Sequence, residues 1–263
     1  MKWVCGIEYD GTKYFGWQKQ KLVCTIQACI EKVLSTIANH NISLICAGRT
    51  DRGVHGITQI VHFLTTSIRS NKEWLVGANS LLPKDITILW LQRVSESFNA
   101  RFSALSRSYR YIIFNNSIRS SFLEKYSYHL RDILNIEKMK IASQYLLGRH
   151  DFSAFRSSGC QSLSPYRTIY LVHIFQLKKF VVIDVVANSF LYHMVRNIVG
   201  CLILIGLSVH NSKWIKKILD NKESIKKYST APSRGLYFLS ASYPTHFLIP
   251  TKFYLSNFFS FFS

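Results

Sequence analysis

The run Ala47-Gly48-Arg49-Thr50-Asp51-Arg52-Gly53-Val54-His55-Gly56 sets one carboxylate between two arginines on a glycine-bracketed turn. Acids are scarce in this chain: 14 Asp+Glu stand against 33 Lys+Arg, for a formal net charge of +19. An acid held among cations stays ionised, because nearby positive charge favours its charged form. Gly48 and Gly53 permit positive φ and close backbone approach, so a ligand can come near the Asp51 carboxylate. An isolated Asp in such a turn ordinarily serves only to shape it. In this setting an ionised carboxylate points to a nucleophile or base facing a polyanionic substrate.

Other residues extend the constellation. Arg196 lies among Met194, Val195, Ile198 and Val199. Arginine is almost never buried without a partner. With so few acids available, Asp51 is a candidate partner; the alternative is a side chain that reaches solvent along a helix edge. Arg49 shares a strand face with Asp51 if the chain is extended there, and its guanidinium could grip a phosphate or a base at two points. In Arg107-Ser108-Tyr109-Arg110-Tyr111, alternation is expected to place both tyrosines on one face and both arginines on the other. Interleaved aromatics and cations suit base stacking with phosphate contacts alongside; the competing reading is an edge strand packed under a helix. His55 and His193 have no second His or Cys at ligand spacing, so no metal site is expected. His193 is expected to hydrogen-bond inside a cleft or the core.

The elements that must carry these residues follow from the hydrophobic pattern. Trp3–Tyr9 reads as a strand and Thr12–Lys21 as a loop. Thr25 caps a helix with the stripe Ile26, Cys29, Ile30, Val33 and Ile37. Ile42, Leu44 and Cys46 alternate as a strand leading into the Asp51 turn, and Ile57–Thr66 continues as another. Asn71–Leu82 is a helix stopped by Pro83, and Ile86–Val94 a strand. The second half repeats the vocabulary: a strand over Ser106–Asn115, a helix over Ile136–Leu147 and a hairpin of Arg167–Leu177 with Phe180–Ala187 turning at Lys178-Lys179. Helices over Phe190–Leu207 and Ser212–Asp220 precede a strand over Leu236–Tyr243. This order predicts an α+β fold of two similar halves, 1–104 and 105–263, each an antiparallel sheet covered by helices, forming one extended sheet with a central cleft.

Bulk properties bound the function. A chain of 263 residues with 48% hydrophobic residues can build a sizeable core as one large domain or two smaller ones. Its charge points to nucleic acid or an anionic membrane surface. The six cysteines, at 5, 24, 29, 46, 160 and 201, form no C-x-x-C pair, which argues against zinc or dithiol chemistry and for a reducing, cytoplasmic setting. The N-terminus reads as a core strand followed closely by charge rather than as a signal peptide. Phe190–Leu207 is apolar but carries His193, Arg196 and Asn197, so it reads as a buried helix rather than a membrane span. The Phe-rich tail from Lys252 is compatible with docking on the body, joining a partner chain or hanging loose.

Six ordered segments resemble one family, the bacterial tRNA pseudouridine synthases of the TruA type: Gly6–Gln20, Ala47–Gly56, Ala100–Phe114, Leu147–Arg156, Ala187–Gly200 and Ala231–Phe238. The resemblance implies an isomerase that converts uridine to pseudouridine at positions 38 to 40 of the tRNA anticodon stem-loop. It implies a homodimer, with RNA lying across both subunits, and no cofactor. By matched position Asp51 is the catalytic aspartate, Tyr109 stacks on the target base and acts as a base late in the reaction, and Arg196 pairs with the aspartate. Arg49 replaces the flipped base, and Arg52, His55 and Arg107 join Arg49 and Tyr109 as substrate-binding candidates. Two positions depart from the pattern: Arg52 stands where the family usually has Ala, and Arg234 where Glu is common. A catalytically weak tRNA-binding protein or chaperone of the same fold is the alternative, and a membrane-surface protein a remote third.

Overall fold

In the computed structural model, residues 1–222 and 230–250 are described, and the Phe-rich tail lies outside them. The chain divides into two units. The first holds residues 1–107 and a return segment beginning at Tyr237; the second holds residues 108–236. The second half therefore gives up its last strand to the first.

In the first unit, β1 (Lys2–Tyr9) pairs antiparallel with β3 (His55–Leu64) and with β4 (Ile86–Arg93). The short β2 (Ile45–Cys46) lies antiparallel to β3. The returning β10 (Leu236–Ser242) joins β3 in parallel, with Tyr237 opposite His55 and Phe238 opposite Gly56. Helices α1 (Ile26–Ala38) and α2 (Asn71–Leu81) supply Ile30, Leu34 and Trp74 to a core shared with Trp3, Ile7, Phe63 and Ile88. Thr25 caps α1 by accepting from the Ala28 N–H, and Ser70 with Glu73 forms a capping box on α2. The strand expected over 42–46 contracts to β2, although Ile42, Leu44 and Cys46 keep their inward face. Strand β3 is buried along nearly its whole length on both faces, so its polar side chains must find partners inside the protein.

The second unit orders β5 (Ser106–Asn115), β9 (Phe180–Ala187), β8 (Tyr166–Leu177) and β7 (Gly148–Asp151) side by side. Strand β6 (Tyr128–Leu130) runs parallel to β5. The β8–β9 hairpin turns at Lys178, which takes φ +52°. Helices α3 (Ile136–Ser143), α4 (Met194–Gly206) and α5 (Trp214–Asn221) complete the unit. Helix α4 starts four residues later than the apolar pattern suggests, because His193 adopts the left-handed conformation at φ +60°. No helix among the described residues is long and apolar enough to cross a membrane. The fold is α+β, with mostly antiparallel strands.

Candidate active site

The loop that carries Asp51 is pinned through its backbone. Buried Gln59 on β3 grips Gly48 at both polar groups: its amide nitrogen donates to the Gly48 carbonyl (2.5 Å) and its carbonyl accepts the Gly48 N–H (3.4 Å). The Ala47 N–H donates to the Ile60 carbonyl (2.8 Å). Thr50 turns inward, its hydroxyl 2.8 Å from the Tyr9 hydroxyl, and its carbonyl accepts the Trp17 N–H at 2.9 Å. The Val54 N–H closes the turn onto the Asp51 carbonyl (3.1 Å), with Gly53 left-handed at φ +77°. With Thr50 buried between them, Arg49 is exposed and Asp51 half-buried. The carboxylate is therefore presented on a loop whose backbone has little freedom to move, which is what a reacting group requires.

Two candidates lie inside this scaffold. His55 is only 2% exposed; its ring stacks on Tyr237 (centroids 4.8 Å apart), and its Nδ1 lies 3.1 Å from Oδ1 of Asp10. Burial alone would raise the Asp10 carboxyl, but hydrogen bonds from His55 and Thr12 outweigh it and hold the group well below the usual carboxylate range. Arg107 is 8% exposed, and its guanidinium donates to the carbonyls of Ala47 (3.1 Å), Ala104 (3.0 Å) and Arg101. Arg107 thus braces the segment leading into the Asp51 turn, while His55 ties the strand after it to Asp10 and Tyr237. The expected division of β5 also needs correction. Strict two-residue alternation puts Arg107, Tyr109 and Tyr111 on the same, buried face, and only Arg110 on the other. Arg110 is committed to a two-point pair with Asp184, both contacts 2.7 Å.

In the second unit, Tyr109 is 8% exposed and meets Phe190 edge-on, with centroids 5.0 Å apart. Tyr111 donates its hydroxyl to the Pro232 carbonyl (2.8 Å). Arg196 is half-buried on α4 among fully buried neighbours, and its Nε donates to the Ala231 carbonyl (2.7 Å). The Ala231 N–H returns to the Arg196 carbonyl at 3.2 Å, so segment 230–232 is tied to the helix at both groups. His193 precedes α4 and contacts the Ser157 hydroxyl through Nδ1 (3.1 Å). Arg234 forms an ion pair with Glu124 (2.6 Å). Arg52 is exposed and lies over the ring of Phe15, 4.2 Å from its centroid.

A protein-family model described as tRNA pseudouridine synthase matches residues 7–103 and 142–244. The chain belongs to that family. Its members are isomerases, and so is this protein. A protein named tRNA pseudouridine synthase A from Buchnera aphidicola subsp. Schizaphis graminum (strain Sg) is 55% identical over 249 residues, 95% of this chain and 94% of its own length. One of the same name from Buchnera aphidicola subsp. Acyrthosiphon pisum (strain Tuc7) is 50% identical over 254 residues, 97% of this chain and 96% of its own. Another from Vibrio cholerae serotype O1 (strain M66-2) is 47% identical, covering 95% of each chain. Within this family member the braces around the Asp51 loop are the residues that sequence inspection passes over. Gln59 and Tyr9 announce themselves only as polar groups in apolar strands, and Thr50 is overshadowed by its charged neighbours. Gln59 in an otherwise buried strand was the available signal, since such a group must be satisfied.

Proposed function

We propose that this protein converts uridine to pseudouridine at positions 38 to 40 of the tRNA anticodon stem-loop, with Asp51 as the catalytic carboxylate. The observation that carries the reading is the Asp51 loop: a half-buried carboxylate on a backbone held at Gly48, Thr50 and Gly53, with exposed arginines at 49 and 52. The reaction breaks the N1–C1′ glycosidic bond, turns the uracil and joins C5 to C1′. Nothing is oxidised and no group arrives from outside, so the chemistry calls for one carboxylate that attacks a carbon or removes a sugar proton.

The target base must leave its stack before the carboxylate can reach it. Arg49 occupies the space the base vacates and offsets part of the unstacking cost. Tyr109 stacks on the extruded base and serves as a base late in the reaction. Arg196 pairs with the catalytic carboxylate. His55 and Arg107, interior members of the substrate-binding set, support the site from below, Arg107 through the Ala47 carbonyl and His55 through Asp10. The cationic surface supplies most of the affinity through phosphate contacts. The protein works in the cytoplasm as a homodimer without a cofactor. Purified protein incubated with unmodified tRNA and mapped for pseudouridine should give product at positions 38 to 40. Product confined to other positions, or none, would contradict the assignment.

A further inference from the structure

Three aromatic side chains of one loop have opposite fates. Tyr14 and Trp17 are buried, Trp17 to 1% exposure, whereas Phe15 between them is 41% exposed. A large apolar ring turned to water beside a polar loop calls for a reason. The mounting is rigid. The Phe15 N–H donates to the Cys24 carbonyl (2.9 Å), and the Tyr14 hydroxyl to Asp85 (2.5 Å). Next to Phe15, Gly16 is left-handed at φ +88°, and a Cβ there would stand 2.8 Å from the Thr50 carbonyl oxygen, 3.1 Å from the Asp51 carbonyl carbon and 3.2 Å from the Arg52 nitrogen. The loop backbone is thus pressed directly against residues 50–52. Behind it, Lys19 pairs with buried Glu31 (3.0 Å), which also accepts from Gln27 (2.8 Å) and the Leu44 N–H (3.0 Å). That network fastens the same loop to α1 and to the strand leading into the Asp51 turn.

On this mounting the Arg52 guanidinium lies 4.2 Å from the Phe15 ring centroid. A stacked guanidinium is held in one orientation while its N–H donors remain on its edge. A 41% exposed ring with a guanidinium stacked over one face has the chemistry of a nucleotide subsite: a base can stack on the guanidinium–ring pair or against the ring's remaining exposed surface, and the guanidinium edge takes a phosphate. We propose that Phe15 and Arg52 form a second nucleotide position beside Asp51, which stacks the base and holds the phosphate of the nucleotide flanking the reacting uridine. This rests on the assignment of RNA as substrate, and it adds a residue, Phe15, and a second base to the recognised footprint.

The test measures equilibrium binding to an unmodified anticodon stem-loop RNA at several salt concentrations, with 2-aminopurine in place of the nucleotide on either side of the target. Arg52→Ala should weaken binding about fivefold or more and reduce the salt slope by about one. Arg52→Lys should restore the slope. Phe15→Leu should weaken binding by about fivefold or more, leave the slope alone and abolish the 2-aminopurine fluorescence change at one flanking position. Unaltered affinity and fluorescence in both variants would overturn the proposal, as would a loss confined to kcat. Circular dichroism melts check that the variants fold. Because these readouts are affinity, salt slope and fluorescence rather than product, and can be repeated in an Asp51→Asn background, failure of Asp51 catalysis, seen in the pseudouridine map, is distinguishable from failure of this subsite.

Discussion

In the proposed reaction Asp51 and Tyr109 have different tasks, and each can be altered with little change of shape. Tyr109 packs edge-on against Phe190 and is nearly buried, so Tyr109→Phe keeps the ring contact and deletes only the hydroxyl. If that hydroxyl serves as a base, kcat should fall about a hundredfold or more while the Kd for tRNA stays within about threefold. A matching loss of binding would move Tyr109 from chemistry to recognition. The carboxylate and its flanking arginines were legible in the sequence from residue type alone, because a lone acid between arginines in a cationic chain is conspicuous. The interior positions of His55 and Arg107 were not. Both are polar residues in motif-like surroundings, and only the fold reveals that His55 Nδ1 faces Asp10 and that the Arg107 guanidinium donates to backbone carbonyls.

At the level of elements, the Asp51 loop depends on close backbone contact with the loop before α1. Gly16→Ala forces an L side chain into φ +88° and into the Thr50 carbonyl oxygen, 2.8 Å away. The variant should lose about 2–3 kcal/mol in urea denaturation and a large part of its activity, because the same atoms shape the Asp51 loop. Wild-type stability in Gly16→Ala would mean that the contact is loose. Strand β3 carries a pH dependence of its own. His62 accepts the Ala100 N–H through Nδ1 (3.1 Å), and burial, followed by the charge on Lys2, drives its pKa from 6.5 down to about 4. The native state therefore binds fewer protons than the unfolded chain between those values. The stability His62 contributes is complete above pH 6.5 and is lost as pH falls towards about 4. The loss should be greatest near the bottom of that window. His62→Gln keeps an acceptor and should flatten that part of the stability curve; an unaltered curve would place the acid sensitivity elsewhere. Strong periodicity made α1, α2, β1, β4, β5 and the β8–β9 hairpin readable. The alternation of Ile42, Leu44 and Cys46 marked β2 but overstated its length, and the short β6 and β7 were not readable, since so few residues carry no period. The late start of α4 was hidden because left-handed His193 leaves no trace in an apolar pattern.

For the molecule as a whole, a formal charge of +19 should dominate the encounter with RNA. The logarithm of the tRNA binding constant should fall with the logarithm of salt concentration with a slope of about −3 or steeper; a slope near zero would remove phosphate contacts as the source of affinity. The two-part α+β organisation was visible in the repeated order of elements. The return of β10 to the first unit was not, because parallel pairing between segments so far apart leaves no local signature. The proposed reaction depends on one carboxylate. Asp51→Asn is isosteric and removes only its charge and basicity, so the variant should bind tRNA within about threefold of wild type and form pseudouridine at least about a thousandfold more slowly. Equal modification by Asp51→Asn and wild type would contradict the catalytic assignment.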